Sequence, residues 1–440
     1  MDKSFYYPKI LVRRTLLKKK LLTLIIGILL ISLLATPLTM IGCGDEETTT
    51  TTAPPTTSDR PDDYDTRTEI VFGQVTSLSG VSAIGVASTS GPIHAMWLAD
   101  INAEGGLYIE EYGRKLPVRL LQYDDQSDIG TMTTLLEKLI VEDKVDFILP
   151  PWSTAFHFAA APIATKYEKI LVNAAGGALK LREMIDDVPY YFQVLNFSET
   201  QVPALADILV ELGVKSAAII FIGDLHGVEY SGLAVPLFAQ KGIDVKMVEV
   251  YPANPEDLST QLKKAKALDV DAFIGYTYPP ATFLATGQAI ELGINFDVFF
   301  LNVITFSPAY RDAFGPLAEG MMGGGAWNPK SSPGAKEFYD HYVDFYDGAE
   351  PDYWGAYYYY PSLQHFQQAI VEAGTLDNSV IRDIMATAVY DTYAGPIGYD
   401  EDRFFQHYPG EIGQWQNGIF EVVDVGEKRT APPIIKPNWP

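Results

Sequence analysis

Short apolar runs alternate with helical patterns along most of this chain, and this alternation restricts the possible fold more than any other feature. Each run is long enough for one strand and is followed by apolar residues at helical spacing. Strands that are apolar on both faces are typical of parallel sheets covered by helices on each side. One series has predicted strands at 70–75, 118–122, 147–149 and 170–172, and a second series, after Asn196, has them at 217–222, 245–250, 272–275 and 298–301. The sequence therefore predicts an α/β protein with two doubly wound lobes.

Further helical patterns follow the second series, near 334–346, 355–373 and 378–387, without a strand series of their own. We expect these helices to pack on the first lobe, so that each lobe is built from separate stretches of chain. The tyrosine run at 357–360 lies in one of them, where helical spacing indicates a packing face. The expected boundaries are 69–194 and 326–412 for the first lobe, 195–325 and 413–425 for the second, and 426–440 for a C-terminal tail.

The N-terminal 42 residues have the order of an export signal. Basic residues precede an apolar run at 21–34, and Gly42 and Cys43 come after it. This order resembles a bacterial lipobox, in which Cys43 is lipidated and residues 1–42 are cleaved off. More than one attached acyl chain, at ~0.8 kcal/mol per buried methylene, makes such an anchor firm. The alternative is an uncleaved N-terminal helix, since 21–42 is long enough to span a bilayer. Both interpretations predict an exported, membrane-anchored protein, by either the general or the twin-arginine route.

Residues 43–68 are rich in Thr, Pro and acidic side chains, so we expect a disordered tether between Cys43 and the lobes. The formal net charge is -24, and it becomes -30 without residues 1–42, which carry seven basic and one acidic side chain. Nucleic acids and lipid surfaces select clustered Lys and Arg, so this charge argues against both as binding partners. Cys43 is the only cysteine, which excludes disulfides within the chain and thiolate metal sites.

Two loops that follow neighbouring predicted strands of the first lobe carry groups suited to an anion or a carboxylate. Trp152, Ser153 and Thr154 follow the strand at 147–149, and 173–177 follows the strand at 170–172. Doubly wound sheets bind ligands outside the carboxyl ends of their strands. Hydroxyl groups at a helix start and accessible main-chain N–H groups are good carboxylate donors. The alternative for Ser153 and Thr154 is an ordinary helix N-cap.

Six short segments spread over 69–425 form an ordered set. They are 78–80, 91–106, 123–128, 152–154 with 161–162, 315–320, and 394–396 with 399–400. In order and spacing they resemble the type I periplasmic solute-binding proteins of the branched-chain amino-acid (leucine/isoleucine/valine) ABC importers. The resemblance implies two Rossmann-like lobes joined by three hinge crossings, near 193–198, 325–328 and 413–416.

The resemblance also implies a ligand site between the lobes. By similarity, Ser153, Thr154 and the N–H of Gly177, in the Gly176-Gly177 loop, would meet a ligand carboxylate, and the carbonyl of Ala175 would face an ammonium group. Two positions depart from the family pattern. Gly177 stands where a threonine is expected, and Val303 stands where an acidic residue is expected opposite the ammonium. A buried ammonium without a carboxylate is costly, so a typical amino acid is in doubt unless Asp224 or Glu229 substitutes.

Aromatic residues complete the predicted pocket. His226 and Tyr278 match positions where the family has aromatic contacts, and Trp152, Phe156 and Tyr276 would add apolar area. The pocket therefore suits a small organic ligand with an apolar or aromatic body. Phe156 is better explained as a core residue of its helix, and an alternative for His226 is a capping role.

No motif for catalysis, cofactor binding or a metal is present, and the six histidines are scattered, so we expect no enzymatic activity. The favoured function is capture of a branched-chain amino acid or a related small carboxylate or amide, followed by delivery to an ABC permease and ATPase. The alternative is a ligand-sensing receptor module of the same fold that signals to a membrane partner.

The lipidation hypothesis predicts the behaviour of the Cys43→Ala variant. Without the thiol no diacylglycerol can be attached, so the protein should leave the detergent phase or accumulate as an unprocessed precursor. Phase partitioning and lipid labelling measure this. Unchanged processing and labelling in the variant would contradict the hypothesis.

Overall fold

The computed structural model describes residues 60–173, 175–194, 198–405 and 410–440. The export signal, Cys43 and most of the expected tether at 43–68 lie outside these ranges. Within them, no helix is both long and apolar enough to cross a membrane.

The first lobe contains a parallel sheet in the order β4-β1-β5, so β1 is central. Its strands are β1 (Ile70–Thr76), β2 (Leu107–Ile109), β3 (Arg114–Leu116), β4 (Val118–Asp124), β5 (Phe147–Leu149), β6 (Leu171–Val172) and β7 (Tyr191–Phe192). Its helices are α1 (Ala83–Ser88), α2 (Ser90–Ala103), α3 (Ile129–Val141), α4 (Thr154–Lys166) and α5 (Leu179–Glu183). A small hairpin pairs β2 with β3, and β6 runs parallel to β7.

The second lobe continues the alternation. Its strands up to the second crossing are β8 (Ser216–Ile222), β9 (Asp244–Tyr251), β10 (Ala272–Tyr276), β11 (Val298–Leu301) and β12 (Met322–Gly324). Its helices are α6 (Ser198–Glu211), α7 (Leu225–Gln240), α8 (Ser259–Ala267), α9 (Pro279–Glu291) and α10 (Pro308–Phe314). These five strands are parallel, as expected from their apolar sequences. The eight predicted strands of the two series agree with the structure to within two residues at each end.

The chain then returns to the first lobe with α11 (Pro333–Phe345), α12 (Ala356–Ala373), α13 (Asn378–Met385) and the hairpin β13 (Val389–Thr392) and β14 (Gly395–Gly398). Contacts of α12 confirm the expected packing. Trp97 Nε1 donates to Gln367 Oε1 at 3.0 Å, and the Phe366 ring centroid lies 5.5 Å from that of Phe147. The tyrosines at 357–360 are buried, so their interpretation as a packing face is also confirmed.

A second hairpin, β15 (Ile412–Gln416) and β16 (Ile419–Val422), extends the sheet of the second lobe to the order β16-β15-β12-β11-β10-β8-β9. Strand β15 pairs antiparallel with β12. The crossing expected at 413–416 is therefore wrong, because those residues already belong to a strand and the chain enters this sheet before them. The exact lobe boundaries stay predictions.

The C-terminal tail packs on the second lobe. Gln414 Nε2 donates to the carbonyl of Ile434 at 2.8 Å, and the N–H of Ile434 donates back to Gln414 Oε1 at 2.9 Å. Near the end of the chain, Trp439 Nε1 donates to the carbonyl of Leu317 at 2.8 Å. The tail is thus an ordered part of this lobe.

A fully buried carboxyl group precedes α12. Asp352 Oδ1 accepts from the main-chain N–H groups of Trp354 and Gly355, at 2.8 and 2.6 Å, whereas Oδ2 has no hydrogen-bond partner in the described chain. Burial raises the pKa of this carboxyl group to about 7, although the two N–H groups oppose the shift. Protonation of Asp352 therefore favours the folded state.

This pKa predicts how stability depends on pH. The pKa of Asp352 in the folded state lies above the value of about 3.9 in the unfolded state. The stabilisation that Asp352 provides is therefore complete below about pH 4 and is lost as the pH rises through about 7. The difference between these two pKa values corresponds to roughly 4 kcal/mol of unfolding free energy. Asp352→Asn keeps an acceptor for the N–H groups and removes the titration, so we expect a smaller loss of stability between pH 5 and pH 8, measured by urea denaturation.

Asp271→Asn is the control, because Asp271 also accepts from two main-chain N–H groups but remains partly exposed. It should lower stability without flattening the pH dependence. A wild-type pH dependence in Asp352→Asn would show that Asp352 does not titrate in this range.

Candidate functional site

A cavity of about 30 Å³ lies between the lobes, where strands of both sheets end. The first lobe contributes Trp152, Thr154, Ala175, Gly177 and Trp354, and the second lobe contributes Gln201, His226, Tyr230, Tyr278, Asn302, Val303, Phe306 and Gly324. A volume of this size holds roughly two water molecules. An amino acid or an aromatic acid is larger, so the cavity must widen when such a ligand binds.

The two first-lobe loops meet as predicted. The N–H of Gly177 lies 3.4 Å from Thr154 Oγ1, and both residues line the cavity together with Ala175. Gly176 does not, because its carbonyl points into the lobe and accepts from Asn173 Nδ2 at 2.7 Å and Gln193 Nε2 at 2.6 Å. The Thr154 hydroxyl accepts from Gly177 and can still donate to a ligand, whereas the N–H of Gly177 can do so only if its long contact with Thr154 Oγ1 breaks.

Ser153 is buried directly before α4 and does not line the cavity. Its side chain makes no capping hydrogen bond, so the N-cap alternative is not seen. Its φ of 84° is unfavourable for a residue with a side chain, and such strain concentrates at functional sites. The backbone is held there in part by His157, whose Nδ1 lies 2.8 Å from the Ser153 carbonyl; burial lowers the pKa of His157 to about 4, which keeps the ring neutral.

Aromatic rings form a large part of the wall. The ring of Tyr278 stacks on His226 with centroids 5.3 Å apart and lies 5.8 Å from Trp152 of the opposite lobe. Burial lowers the pKa of His226, so the imidazole is neutral near pH 7. Tyr276 was expected here, but its ring packs against Tyr230 within the core of the second lobe, at 5.3 Å. Phe156 lies in a core cluster of the first lobe, as its alternative interpretation predicted.

Val303 lines the cavity, and no carboxylate compensates for it. Asp224 Oδ1 caps α7 by accepting from the N–H of Gly227 at 3.0 Å. The Glu229 carboxylate is bound by main-chain N–H groups of the first lobe. Neither acid lines the cavity, and none of its lining residues carries a formal charge near neutral pH.

Six residues that line the cavity were not predicted from the sequence: Gln201, Tyr230, Asn302, Phe306, Gly324 and Trp354. Asn302 could have been found, because it directly follows β11 beside Val303. Gln201 and Tyr230 lie on helices that begin near the cavity, and helical spacing alone does not separate them from core residues. No local signal marks Trp354, which reaches the cavity from the segment before α12.

Glu229 joins the two lobes outside the cavity. Its Oε2 accepts from the N–H of Lys180 at 3.0 Å, and its Oε1 accepts from the N–H of Leu179 and the hydroxyl of Ser198. Glu229 belongs to α7 of the second lobe, whereas Leu179 and Lys180 begin α5 of the first lobe. Hydrogen bonds to a charged group contribute about 1.5–3 kcal/mol each. This contact favours the closed arrangement of the lobes.

Comparison with known proteins identifies the family. The periplasmic binding protein family model matches residues 69–418. The chain belongs to the periplasmic binding protein family. A leucine-binding protein from Thermotoga maritima is 22% identical, with a TM-score of 0.67 over 80% of this chain and 97% of that chain.

Two further solved structures of this fold come from Rhodopseudomonas palustris. One is an ABC-transporter solute-binding protein in complex with 3,4-dihydroxybenzoic acid, 17% identical, with a TM-score of 0.69 over 84% of this chain and 99% of that chain. The other is a solute-binding protein in complex with benzoate, 16% identical, with a TM-score of 0.70 over 84% and 98%. The type I periplasmic binding protein fold predicted from the sequence is thus confirmed. The family implies an extracytoplasmic protein that binds small solutes.

For this periplasmic binding protein, the Glu229 contact predicts a change in lobe opening. Glu229→Gln removes the charge that strengthens the hydrogen bonds to α5, so the ligand-free variant should populate more open forms. Small-angle X-ray scattering should then give a larger radius of gyration than for the wild type.

Glu249→Gln is the matched control, because Glu249 binds Lys264 within the second lobe only. It should leave the radius of gyration unchanged. Equal radii for the wild type and Glu229→Gln would mean that this contact does not hold the lobes together.

Proposed function

We propose that this protein is the solute-binding component of an ABC importer and that it binds a small carboxylate or amide with an apolar or aromatic body. The observation that carries the proposal is the cavity wall, which combines several aromatic rings with neutral polar groups and, among the described lining residues, has no side chain that is charged near neutral pH. The Thr154 hydroxyl can donate to the carboxylate or amide oxygen, and the N–H of Gly177 joins it once the long 3.4 Å contact with Thr154 Oγ1 is exchanged for the ligand.

An amino acid fits this wall less well. Its ammonium group would lose its hydration between the closed lobes with no carboxylate to compensate, and an unpaired buried charge is strongly unfavourable. A branched-chain amino acid, the solute suggested by the leucine-binding relative, is therefore the second candidate. The benzoate and 3,4-dihydroxybenzoate complexes of two relatives support the aromatic acids as probes.

The proposal includes delivery to a permease and ATPase in the membrane, with the protein held at the membrane by lipidated Cys43. The alternative function is a receptor module that reports ligand to a membrane partner. A neighbouring permease and ATPase gene pair would favour transport, and a neighbouring sensor kinase gene would favour signalling.

Calorimetry with benzoate, 3,4-dihydroxybenzoate, leucine and isoleucine tests the ligand class, and Val303→Asp tests its cause. A carboxylate at position 303 repels an anion and pairs with an ammonium. We expect Val303→Asp to weaken binding of the aromatic acid by about tenfold or more, equivalent to about 1.4 kcal/mol, and to improve binding of leucine.

Val303→Asn is the control, because it introduces a polar side chain of similar size without a charge. It should change the affinities for aromatic acids and for amino acids by similar factors. Binding of leucine or isoleucine to the wild type at micromolar concentration or better, with no binding of aromatic acids, would refute the proposed ligand class.

A further inference from the structure

The six tryptophans of the chain all lie in the described ranges, and one of them differs from the others in the hydrogen bonding of its indole N–H. Five of them donate their indole N–H to a named acceptor at 2.6–3.0 Å: Trp97 to Gln367, Trp152 to Thr89, Trp327 to Asp352, Trp415 to Thr305 and Trp439 to Leu317. The indole N–H of Trp354 is buried and has no partner in the described chain. Buried donors without a partner are rare and destabilising, so this exception requires an explanation.

Trp354 lines the cavity, and its ring is held in place. The Phe306 ring lies 4.9 Å away, and a Cβ added to Gly325 would come within 1.8 Å of Trp354 Cδ1 and 2.5 Å of Nε1. Gly325 has a φ of 65°, a conformation that glycine adopts readily. The indole ring of Trp354 is therefore packed closely between Gly325 and Phe306, which limits its rotation towards another acceptor.

A second polar group of the wall is in the same condition. The hydroxyl of Tyr278 is buried and has no partner at normal hydrogen-bond geometry in the described chain, although the side chains of Asp224 and Ser153 lie close enough to affect its pKa; among the lining residues, only Tyr278 and Trp354 have such an atom. Trp152, which lines the same cavity, has its N–H satisfied by Thr89 Oγ1 at 3.0 Å. Two tryptophans line the cavity, and of these only Trp354 has an indole N–H without a hydrogen-bond partner in the described chain.

We infer that Trp354 Nε1–H donates to an oxygen of the ligand other than its carboxylate, so that the preferred ligand is a carboxylic acid with a hydroxyl, keto or amide substituent. The inference rests on the proposed function, in which Thr154 and Gly177 bind the carboxylate. Trp354 is then a specificity-determining residue. A ligand without the second oxygen leaves the N–H unpaired, and a site built for a hydrogen bond discriminates against such an analogue.

Calorimetry with benzoate, 3-hydroxybenzoate, 4-hydroxybenzoate and 3,4-dihydroxybenzoate tests this inference. The wild type should bind at least one hydroxylated acid about tenfold more tightly than benzoate. Trp354→Phe keeps an aromatic ring and removes the N–H, so the ratio of the two affinities should fall by about tenfold. Trp152→Phe is the matched control: its N–H is already used by Thr89, so this ratio should change less than about threefold.

A measurement on the wild type covers the case in which Trp354→Phe fails to fold. With tryptophan labelled with ¹⁵N, the six indole N–H groups give separate signals, and one that does not shift with benzoate should shift downfield with the hydroxylated acid. Equal affinities for benzoate and the hydroxylated acids, or an equal loss for both in Trp354→Phe, would overturn the role of Trp354 and leave the proposed function intact. Failure of all four acids to bind the wild type, together with binding of leucine or isoleucine at micromolar concentration or better, would overturn both.

Discussion

The parallel arrangement of strands is the constraint on which the site depends. Parallel strands end at the same edge of a sheet, so the loops that follow them lie close together. The pairing of the strands positions these loops, and contacts between the loops are not required for it. In the first lobe this places Thr154 next to Gly177, and in the second lobe it places Tyr278 and Val303 at the same edge. Because both sheets present this edge to the cleft, each lobe supplies one wall of the cavity.

The cleft is held closed by charges that lie outside it. Glu229 binds main-chain N–H groups across the lobes, and Arg182 of α5 pairs with Glu199 of α6. The cavity itself has only neutral lining groups, because burial keeps His226 uncharged. This separation has a physical advantage. Charged contacts at the rim keep part of their hydration and can break when the lobes open, whereas a charge inside the cavity would need a partner in every state.

The fold could be predicted from the sequence because its strands are apolar on both faces and its helices have a clear period. The hairpin of β15 and β16 was missed, since its strands come after the helices that return to the first lobe and pair antiparallel with β12. The loops carrying Thr154 and Gly177 could be predicted from their positions after strands. Tyr276 could not be separated from Tyr278: it is the last residue of β10 and is buried in the core, whereas Tyr278 lies past the strand end and lines the cavity.

Trp354 shows why the rest of the site is hidden from the sequence. It lies far along the chain from the loops it faces, and its position depends on three contacts that only the folded chain brings together. Its main-chain N–H is bound by Asp352, its ring packs on Phe306, and Gly325 leaves room for the indole at the second crossing. The same segment therefore touches the cavity wall and a connection between the lobes. A ligand that accepts a hydrogen bond from Trp354, as we propose, would therefore contact a residue that packs directly on this connection between the lobes.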